Sequence, residues 1–415
     1  MIRRSHGRWL PVLLWVAVIY TTIPFVRRLR EFFVARWPGE LIAYGVMAVV
    51  VAAAVAGLGF LWRRRRGIRV ADALWLVGIA TILVVWTRHL MGQPEEAVHF
   101  LEYGVLGVLL YRALRPRIPD ATIFAAGALV GILVGTVDEV IQWVVPDRFW
   151  DFRDVALNGG ASVLIQVALW RLASRATERV RRPSLRLLCR LAAVQILILT
   201  LCFSATPART ARLAERLPGL ANPASGTDAI CEYGHRHALD NLTVFRSRLT
   251  LAELEHADAA RAPEVAAVLD ASRHAYGDFL ATVSPVDDPF AYEARVHLFA
   301  RDRNLGEGRK LTEGTPARRE RMTIAFRENL ILESVFGTTL EHSSYRWPER
   351  QRARIEDEQD PKVGFVSKVG SHLITAVSEN HLRALMLTLL AALLACDLAL
   401  GRGTATRPRP GARQA

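Results

Sequence analysis

Cysteine is scarce in this chain, four in 415 residues. Cys189, Cys202 and Cys396 fall in or beside long apolar runs, which leaves Cys231 alone in the polar part. A single thiol there forms no intradomain disulfide, so oxidative folding is not implied. Cys231 with His235 and His237, in "CEYGHRH", makes a partial set of metal ligands. The spacing matches no standard zinc pattern and a fourth ligand is missing, so a surface loop holding histidines is the plainer reading. A P-loop, a nucleophile elbow, an HExxH motif and internal repeats are also lacking. Their absence argues against the commonest phosphate-cradling, serine-hydrolase and zinc-protease designs.

Charge is missing over long stretches. The chain is 51% hydrophobic and 22% charged. Several segments run about 18 or more residues with almost no charge, enough to cross a bilayer core as helices. They lie at roughly 9–26, 40–62, 70–87, 97–113, 119–145, 155–174, 185–206 and 383–400. No small-residue cleavage site follows the first, so it reads as a retained anchor and not a signal peptide. The expected fold is all-α: a polytopic membrane protein of about eight spans with one helical extracytoplasmic domain.

What charge there is sits unevenly. Residues 207–382 hold 23 Lys/Arg and 26 Asp/Glu, a balance of −3, and the rest holds 30 and 14, a balance of +16. Cytoplasmic loops of membrane proteins are enriched in Lys and Arg. With the amino terminus inside, the inner segments are 1–8, 63–69, 112–117, 171–190 and the tail after 400, which carry 22 of those 30 basic residues. The loop "VRRLREFFVAR" (26–36) falls outside on this scheme yet carries four Arg, and it is the one dissent. This distribution favours a membrane over nucleic acid as the partner of the net +13 charge. Both termini come out cytoplasmic and 207–382 extracytoplasmic.

The chain divides by composition into spans at 1–94, a membrane core at 95–175, a basic loop and seventh span at 176–206, the polar domain at 207–382, and a last span with a basic tail at 383–415. Within the polar domain, 207–240 is rich in Ala, Pro, Gly and Ser and reads as a linker. "DDPFAYEARVHLFARDR" offers Asp288 as helix N-cap with Pro289 at the first position, and "GTPARRERMTIAFRENLILESVF" offers Thr315 and Pro316 in the same roles. "WPERQRARIEDEQD" is charged all round and reads as a solvated helix. The stretch from Ser367 is expected to run into the last span.

Three stretches put polar groups at the outer ends of spans. In "EEAVHFLEYGVLG" (95–107), His99, Glu102 and Tyr103 stand at i, i+3 and i+4, on one helix face. In "TVDEVIQWVVPDR" (136–148), Asp138 and Gln142 share a face, with Glu139 adjacent. In "PDRFWDFRDVALNGG" (146–160), Asp151, Asp154 and Asn158 again share one. Chain direction alternates, so all three come to the same side. Several bland roles compete: Asp151 as N-cap with Asp154 favoured by the helix dipole, Arg148 as an interfacial anchor, Trp143 and Trp150 as aromatic-belt residues. His99 and Tyr103 could serve as packed, hydrogen-bonded members of an interhelical network. Against structure alone stands the count of acids, since a charge at membrane depth costs about 2.5–3.5 kcal/mol on insertion scales and normally keeps a partner. Four or five carboxylates face only Arg148, Arg153 and His99.

At these residues the chain resembles the VanZ-like family of bacterial membrane proteins. The matched pattern is His99, Phe100 and Tyr103 opening one span, Asp138, Glu139 and Gln142 closing the next, Arg148 in the loop, and Asp154 and Asn158 opening the last. Order and spacing fit together over residues 95–175, and "IYTTIPF" (19–25) is similar to the family's opening segment. The chain departs from the pattern at Glu96, where a Lys is usual, and at Ala161, where a Gly is usual. The two extra spans and the domain at 207–382 lie outside the family core. The resemblance implies a bacterial inner-membrane protein of the cell envelope. One family member contributes to teicoplanin-type glycopeptide resistance, and the resemblance by itself establishes no catalytic activity.

Two readings of the cluster are open at this point. In the first, His99, Glu102, Tyr103, Asp138, Glu139, Gln142, Arg148, Asp151, Asp154 and Asn158 bind a lipid head group or lipid-linked envelope precursor, with membrane lipids as neighbours and another envelope protein contacting 207–382. Arg148 suits phosphate or carboxylate by its planar fork. In the second, a membrane-embedded hydrolase or transferase uses Asp138 or Glu139 as general acid or base with His99 as partner. A divalent metal on His99, Glu102, Asp138 and Asp154 is compatible with those ligand types, but no spacing identifies one, and no cofactor is required. A proton-coupled transporter ranks last, because the acids gather at one face and no paired broken spans suggest inverted repeats.

Overall fold

The computed structural model describes residues 7–65, 68–146, 148, 150–173, 180–220 and 230–402, the side chains of Arg27 and Arg65 excepted. Parts of the basic segments 1–8, 63–69 and 171–190, most of the tail after 400 and residues 221–229 of the expected linker lie outside the described residues. The chain forms two units, one of Met1–Cys202 with Arg383–Ala415 and one of Phe203–Leu382.

The first unit is built of long helices: α1 (Leu10–Val34), α2 (Glu40–Arg65), α3 (Val70–His89), α4 (Val98–Leu114, entered by a 3-10 turn at Pro94–Ala97), α5 (Thr122–Val144), α6 (Phe152–Ala173), α7 (Arg182–Cys202) and, at the chain's end, α15 (Glu379–Arg402). Among the described residues, seven helices, α2 through α7 and α15, are long and apolar enough to cross a membrane. This is an all-α, multi-pass membrane architecture. The first apolar segment differs from its expected form. Residues 26–36 are mostly not a loop: α1 runs on to Val34, and Leu10–Val26 and Arg28–Val34 meet at 64°. Pro24, which has no N–H to donate, lies one turn before that break.

The centre of this unit is the α4–α5–α6 group. Phe100, Tyr103, Leu106 and Leu110 of α4 pack with Leu157 and Ala161 of α6 and with Val12, Ile19, Val46 and Val50 of α1 and α2. Between α5 and α6 a stripe of small residues sets the distance. Gly127, Gly131 and Gly135 recur every four residues on α5, and Asn158, Ser162 and Gln166 recur every four on α6. A methyl group at Gly131 would sit 2.8 Å from Ser162 Cβ, and one at Gly127 would sit 2.7 Å from Gln166 Cδ. Small residues let membrane helices approach this closely. Gln166 Nε2 donates across to the Gly107 carbonyl of α4 at 3.0 Å, and Gln195 Nε2 of α7 donates to Thr136 Oγ1 of α5 at 2.9 Å.

α15 is held differently. Its acid, Asp397, accepts from Arg186 at 2.9 and 3.3 Å and from Arg190 at 3.1 and 3.2 Å, both on α7. An acid in an apolar helix normally keeps such partners. One residue away stands Cys396, and Cys189 lies beside Arg190 on α7.

The second unit holds α8 (Pro207–Ala214), β1 (His235–Ala238), β2 (Thr243–Ser247), α9 (Leu251–Ala271), α10 (Tyr276–Thr282), α11 (Pro289–Arg309), α12 (Pro316–Val335), α13 (Gly337–His342), α14 (Glu349–Glu358) and β3 (Phe365–Val366). Local chemistry starts its helices. Asp288 accepts from Ala291 N at 3.1 Å and Thr315 from Arg318 N at 3.4 Å, each with proline at the first helical position. Thr250 and Glu253 close a reciprocal capping box on α9. Phe245, Leu254, Leu269, Phe290, Leu298, Ile331 and Leu332 form the core.

Two expectations for this unit need correction and a third is met only in part. Residues 207–240 are not one linker, because Pro207–Ala214 is helical and His235–Ala238 is a strand paired antiparallel with β2. The charged helix α14 is solvated over most of its surface, as expected, but is docked along one edge: Ile355, with Trp347 just before the helix, buries against Met322, Ala325 and Phe326, and Arg318 Nε donates to Glu358 at 2.7 Å. The stretch from Ser367 does not run helically into the last span. β3 pairs parallel with β2, and the chain then crosses beneath Glu232, where Ile374 N donates to the Glu232 carbonyl at 2.8 Å, before α15 starts at Glu379.

One ion network ties this crossing down. Arg248, on the turn after β2, donates to Glu232 at 2.6 and 2.9 Å and to Glu293 of α11 at 3.2 Å, and His372 Nε2 lies 3.1 Å from Glu232. Burial alone raises the Glu232 carboxyl, but the hydrogen bonds from His372 and Arg248 outweigh it and hold the group below the usual carboxylate range.

Candidate functional site

The three polar stretches converge within the first unit. α4 opens at His99, α5 closes after Gln142, and α6 opens at Phe152, so their polar ends lie at the same end of adjacent helices. The helix period does the local work: His99 Nδ1 lies 3.0 Å from Glu102 Oε2 at i+3, and Gln142 Nε2 donates to Asp138 Oδ2 at 3.4 Å and Glu139 Oε1 at 2.7 Å, at i−4 and i−3.

The connection from α5 to α6 folds back over these groups. Arg148 donates to Gln142 Oε1, so one carboxamide joins the guanidinium to both carboxylates. The Asp151 backbone N–H donates to Glu139 Oε2 at 3.4 Å. The Asp151 side chain is spent on its own helix, accepting from Arg153 N at 2.7 Å as an N-cap. Arg153 pairs with Glu96 at 2.5 Å, and Arg30 pairs with Glu95 at 2.7 Å. The acid that stands at 96 is therefore neutralised from α6.

Deeper in, Tyr103 and Asn158 are wholly buried, at 0% exposure each, and Asp138 is 2% exposed. A methyl group at Gly135 would lie 2.7 Å from Asn158 Cβ and 3.2 Å from the Tyr103 hydroxyl, so these two side chains meet at Gly135, one turn from Asp138. Among the described residues, the Tyr103 hydroxyl, Asp138 Oδ1, Asp154 Oδ1 and both amide atoms of Asn158 have no hydrogen-bond partner, nor do Arg148 Nε and Trp150 Nε1. A buried polar group left unmet costs about 1–3 kcal/mol. Several from three helices in one place are unusual in a folded protein.

Some pairings did not form. Among the described residues, no hydrogen bond joins His99 to Asp138 or Asp154. Its direct partner is Glu102, so the acid–base pairing of His99 with Asp138 is not made. Among the described residues, no three His, Cys, Asp or Glu groups gather as a metal site. In the second unit the Cys231 thiol donates to the Phe203 carbonyl at 3.1 Å, and His237 Nε2 lies 2.9 Å from the Leu249 carbonyl. An open cavity of about 780 Å³, lined by Phe299, Arg319, Glu328 and Lys368 among others, also lies in that unit.

Sequence reasoning missed Gly135, Trp150's orphan donor and Tyr20, whose hydroxyl donates to the Val134 carbonyl at 3.0 Å. The four-residue spacing of Gly127, Gly131 and Gly135 against Asn158, Ser162 and Gln166 was the available signal. No protein-family model, curated protein or solved structure matches the chain.

Proposed function

We propose that this chain is a VanZ-like integral membrane protein of the bacterial cell envelope that binds a lipid head group or lipid-linked envelope precursor in the α4–α5–α6 cluster. One observation carries the reading: the Tyr103 hydroxyl, Asp138 Oδ1 and both amide atoms of Asn158 are buried together without partners among the described residues. A structural network satisfies its members. Here the groups that hold the bundle, such as Gln142 and Gln166, are bonded in part, while those facing Gly135 are left for something else.

The orientation belongs to the same proposal. Basic residues at the opposite helix ends favour a cytoplasmic location there, which puts the cluster and residues 203–382 on the outer side of the inner membrane. The second unit is then available to another envelope component. The resemblance supplies the link to glycopeptide resistance, which is part of the proposal as a class of phenotype.

The test is native mass spectrometry of the protein released from mild detergent, beside an Asp138→Asn/Arg148→Ala double variant. The wild type is expected to retain a lipid or lipid-linked species that the double variant sheds. Identical bound species on a wild type and variant of equal thermal stability would overturn the site.

A further inference from the structure

We infer that the ligand carries a primary ammonium beside a phosphate, the head group of an amine-bearing phospholipid, with the ammonium held by Asp138, Asp154 and Asn158 and the phosphate by Arg148 and Trp150. This rests on the ligand-site reading above and narrows it to one chemistry.

The unmet atoms sort by type. Asp138 Oδ1, Asp154 Oδ1 and Asn158 Oδ1, all on α5 and α6, are acceptors. Arg148 Nε and Trp150 Nε1, both in the connection between those helices, are donors. An ammonium has three N–H groups and no acceptor, which suits three oxygens. Phosphate has acceptors only, and an arginine fork with an indole N–H suits it. Asp138 and Arg148 belong to one cluster, because both bond the Gln142 side chain, and Trp150 follows Arg148 in the same short connection between α5 and α6.

Charge points the same way. Glu102 is engaged by His99, and both oxygens of Glu139 are engaged by Gln142 and the Asp151 N–H. The buried Asp138 and the half-buried Asp154 are each left with a free oxygen, and a buried carboxylate without a cationic partner is costly. A bare metal cation would answer the acids but leave the Tyr103 hydroxyl and Asn158 Nδ2 donors unmet. A zwitterion brings phosphate oxygens as well. The wholly buried Asn158, unmet at both amide atoms and converging with Tyr103 on Gly135, sets the cluster apart from a mere collection of surface acids.

A choline head group has no N–H to give, and a glycerol head group has no cation, so the three common head groups separate the possibilities. The full chain in mild detergent is offered an equimolar mixture of phosphatidylethanolamine, phosphatidylcholine and phosphatidylglycerol with identical acyl chains, and bound species are counted by native mass spectrometry. A charge-assisted hydrogen bond contributes about 1.5–3 kcal/mol, so ethanolamine lipid should exceed choline lipid by roughly tenfold or more. Asp138→Asn should erase that preference while lipid retention persists, and Arg148→Ala should lower all three lipids. If Asp138→Asn does not fold, Asp154→Asn is expected to do the same. Equal retention of ethanolamine and choline lipids, both sensitive to Arg148→Ala, would overturn the amine assignment and leave the ligand site standing. A preference for the glycerol lipid would do the same. No variant-sensitive retention of any lipid would overturn both.

Discussion

Asp138 and Arg148 meet on one carboxamide: Gln142 donates to Asp138 Oδ2 from Nε2 and accepts from Arg148 at Oε1. Gln142 is 3% exposed and also donates to Glu139 at 2.7 Å. Gln142→Leu keeps the bulk and removes every one of these bonds. Stranding buried polar groups costs about 1–3 kcal/mol each, so unfolding in detergent should move to clearly lower temperature or denaturant. A variant as stable as the wild type would mean that Gln142 bridges nothing of consequence.

Gly135→Ala tests the convergence of Tyr103 and Asn158. The added methyl would stand 2.7 Å from Asn158 Cβ, closer than real contacts allow, and overpacking of this kind costs about 1–3 kcal/mol. Gly45→Ala on α2 meets nothing within 4 Å and serves as the control, expected to be neutral or slightly stabilising. The two melting curves, run side by side, should part in that order.

Much of this was legible in the sequence, for reasons specific to membrane helices. Hydropathy marks a span without knowledge of its neighbours, and α2 to α7 and α15 appear where the apolar runs stand. Pairs on one helix face were also legible, since His99 with Glu102 and Asp138 with Gln142 need only the helical period. What was hidden depended on other elements. Asn158 and Tyr103 meet only because α5 carries glycine at 135. The Asp151 carboxylate is withdrawn from the site by its own helix cap. The β1–β2–β3 sheet escaped notice because β3 has two residues and pairs far from its neighbour in sequence. α14 reads as solvated by composition, and only the partners of Trp347 and Ile355 show that it is docked.

In the second unit, Arg248 sits between Glu232 and Glu293 with 11% of its side chain exposed. Arg248→Ala takes the guanidinium from two largely buried carboxylates, leaving Glu293 without it and Glu232 with His372 only, and breaking a buried pair in this way costs about 3–5 kcal/mol. The pH dependence follows from Glu232, whose carboxyl is held below its ordinary value despite burial. Its contribution is complete above the unfolded-chain value, near 4.3 for glutamate, and is lost as pH falls through the lower folded value. The stability gap between wild type and Glu232→Gln should therefore be full at pH 7 and shrink with acidification below about pH 4.3. Denaturant unfolding followed across that range checks it, and a gap independent of pH would refute the linkage.

The Asp397 latch makes a separate prediction. Asp397 adjoins Cys396, and its partners Arg186 and Arg190 flank Cys189, so the two ion pairs bring both thiols to one level of α7 and α15. Mild oxidation of the wild type with copper phenanthroline should give a peptide pair joined through Cys189 and Cys396, found by mass spectrometry after digestion. Asp397→Ala frees α15 and should reduce that yield several-fold. An undiminished cross-link would show that α15 is positioned by other contacts.

The most direct measurement is photo-cross-linking with a phospholipid that carries a diazirine close to its head group, followed by mapping of labelled peptides in the full chain. Label is expected to gather on residues 95–107, 136–151 and 152–160 of the wild type and to fall in Arg148→Ala. Label spread evenly over the lipid-facing helices, or concentrated within 203–382 and indifferent to Arg148, would contradict a ligand site in the α4–α5–α6 cluster.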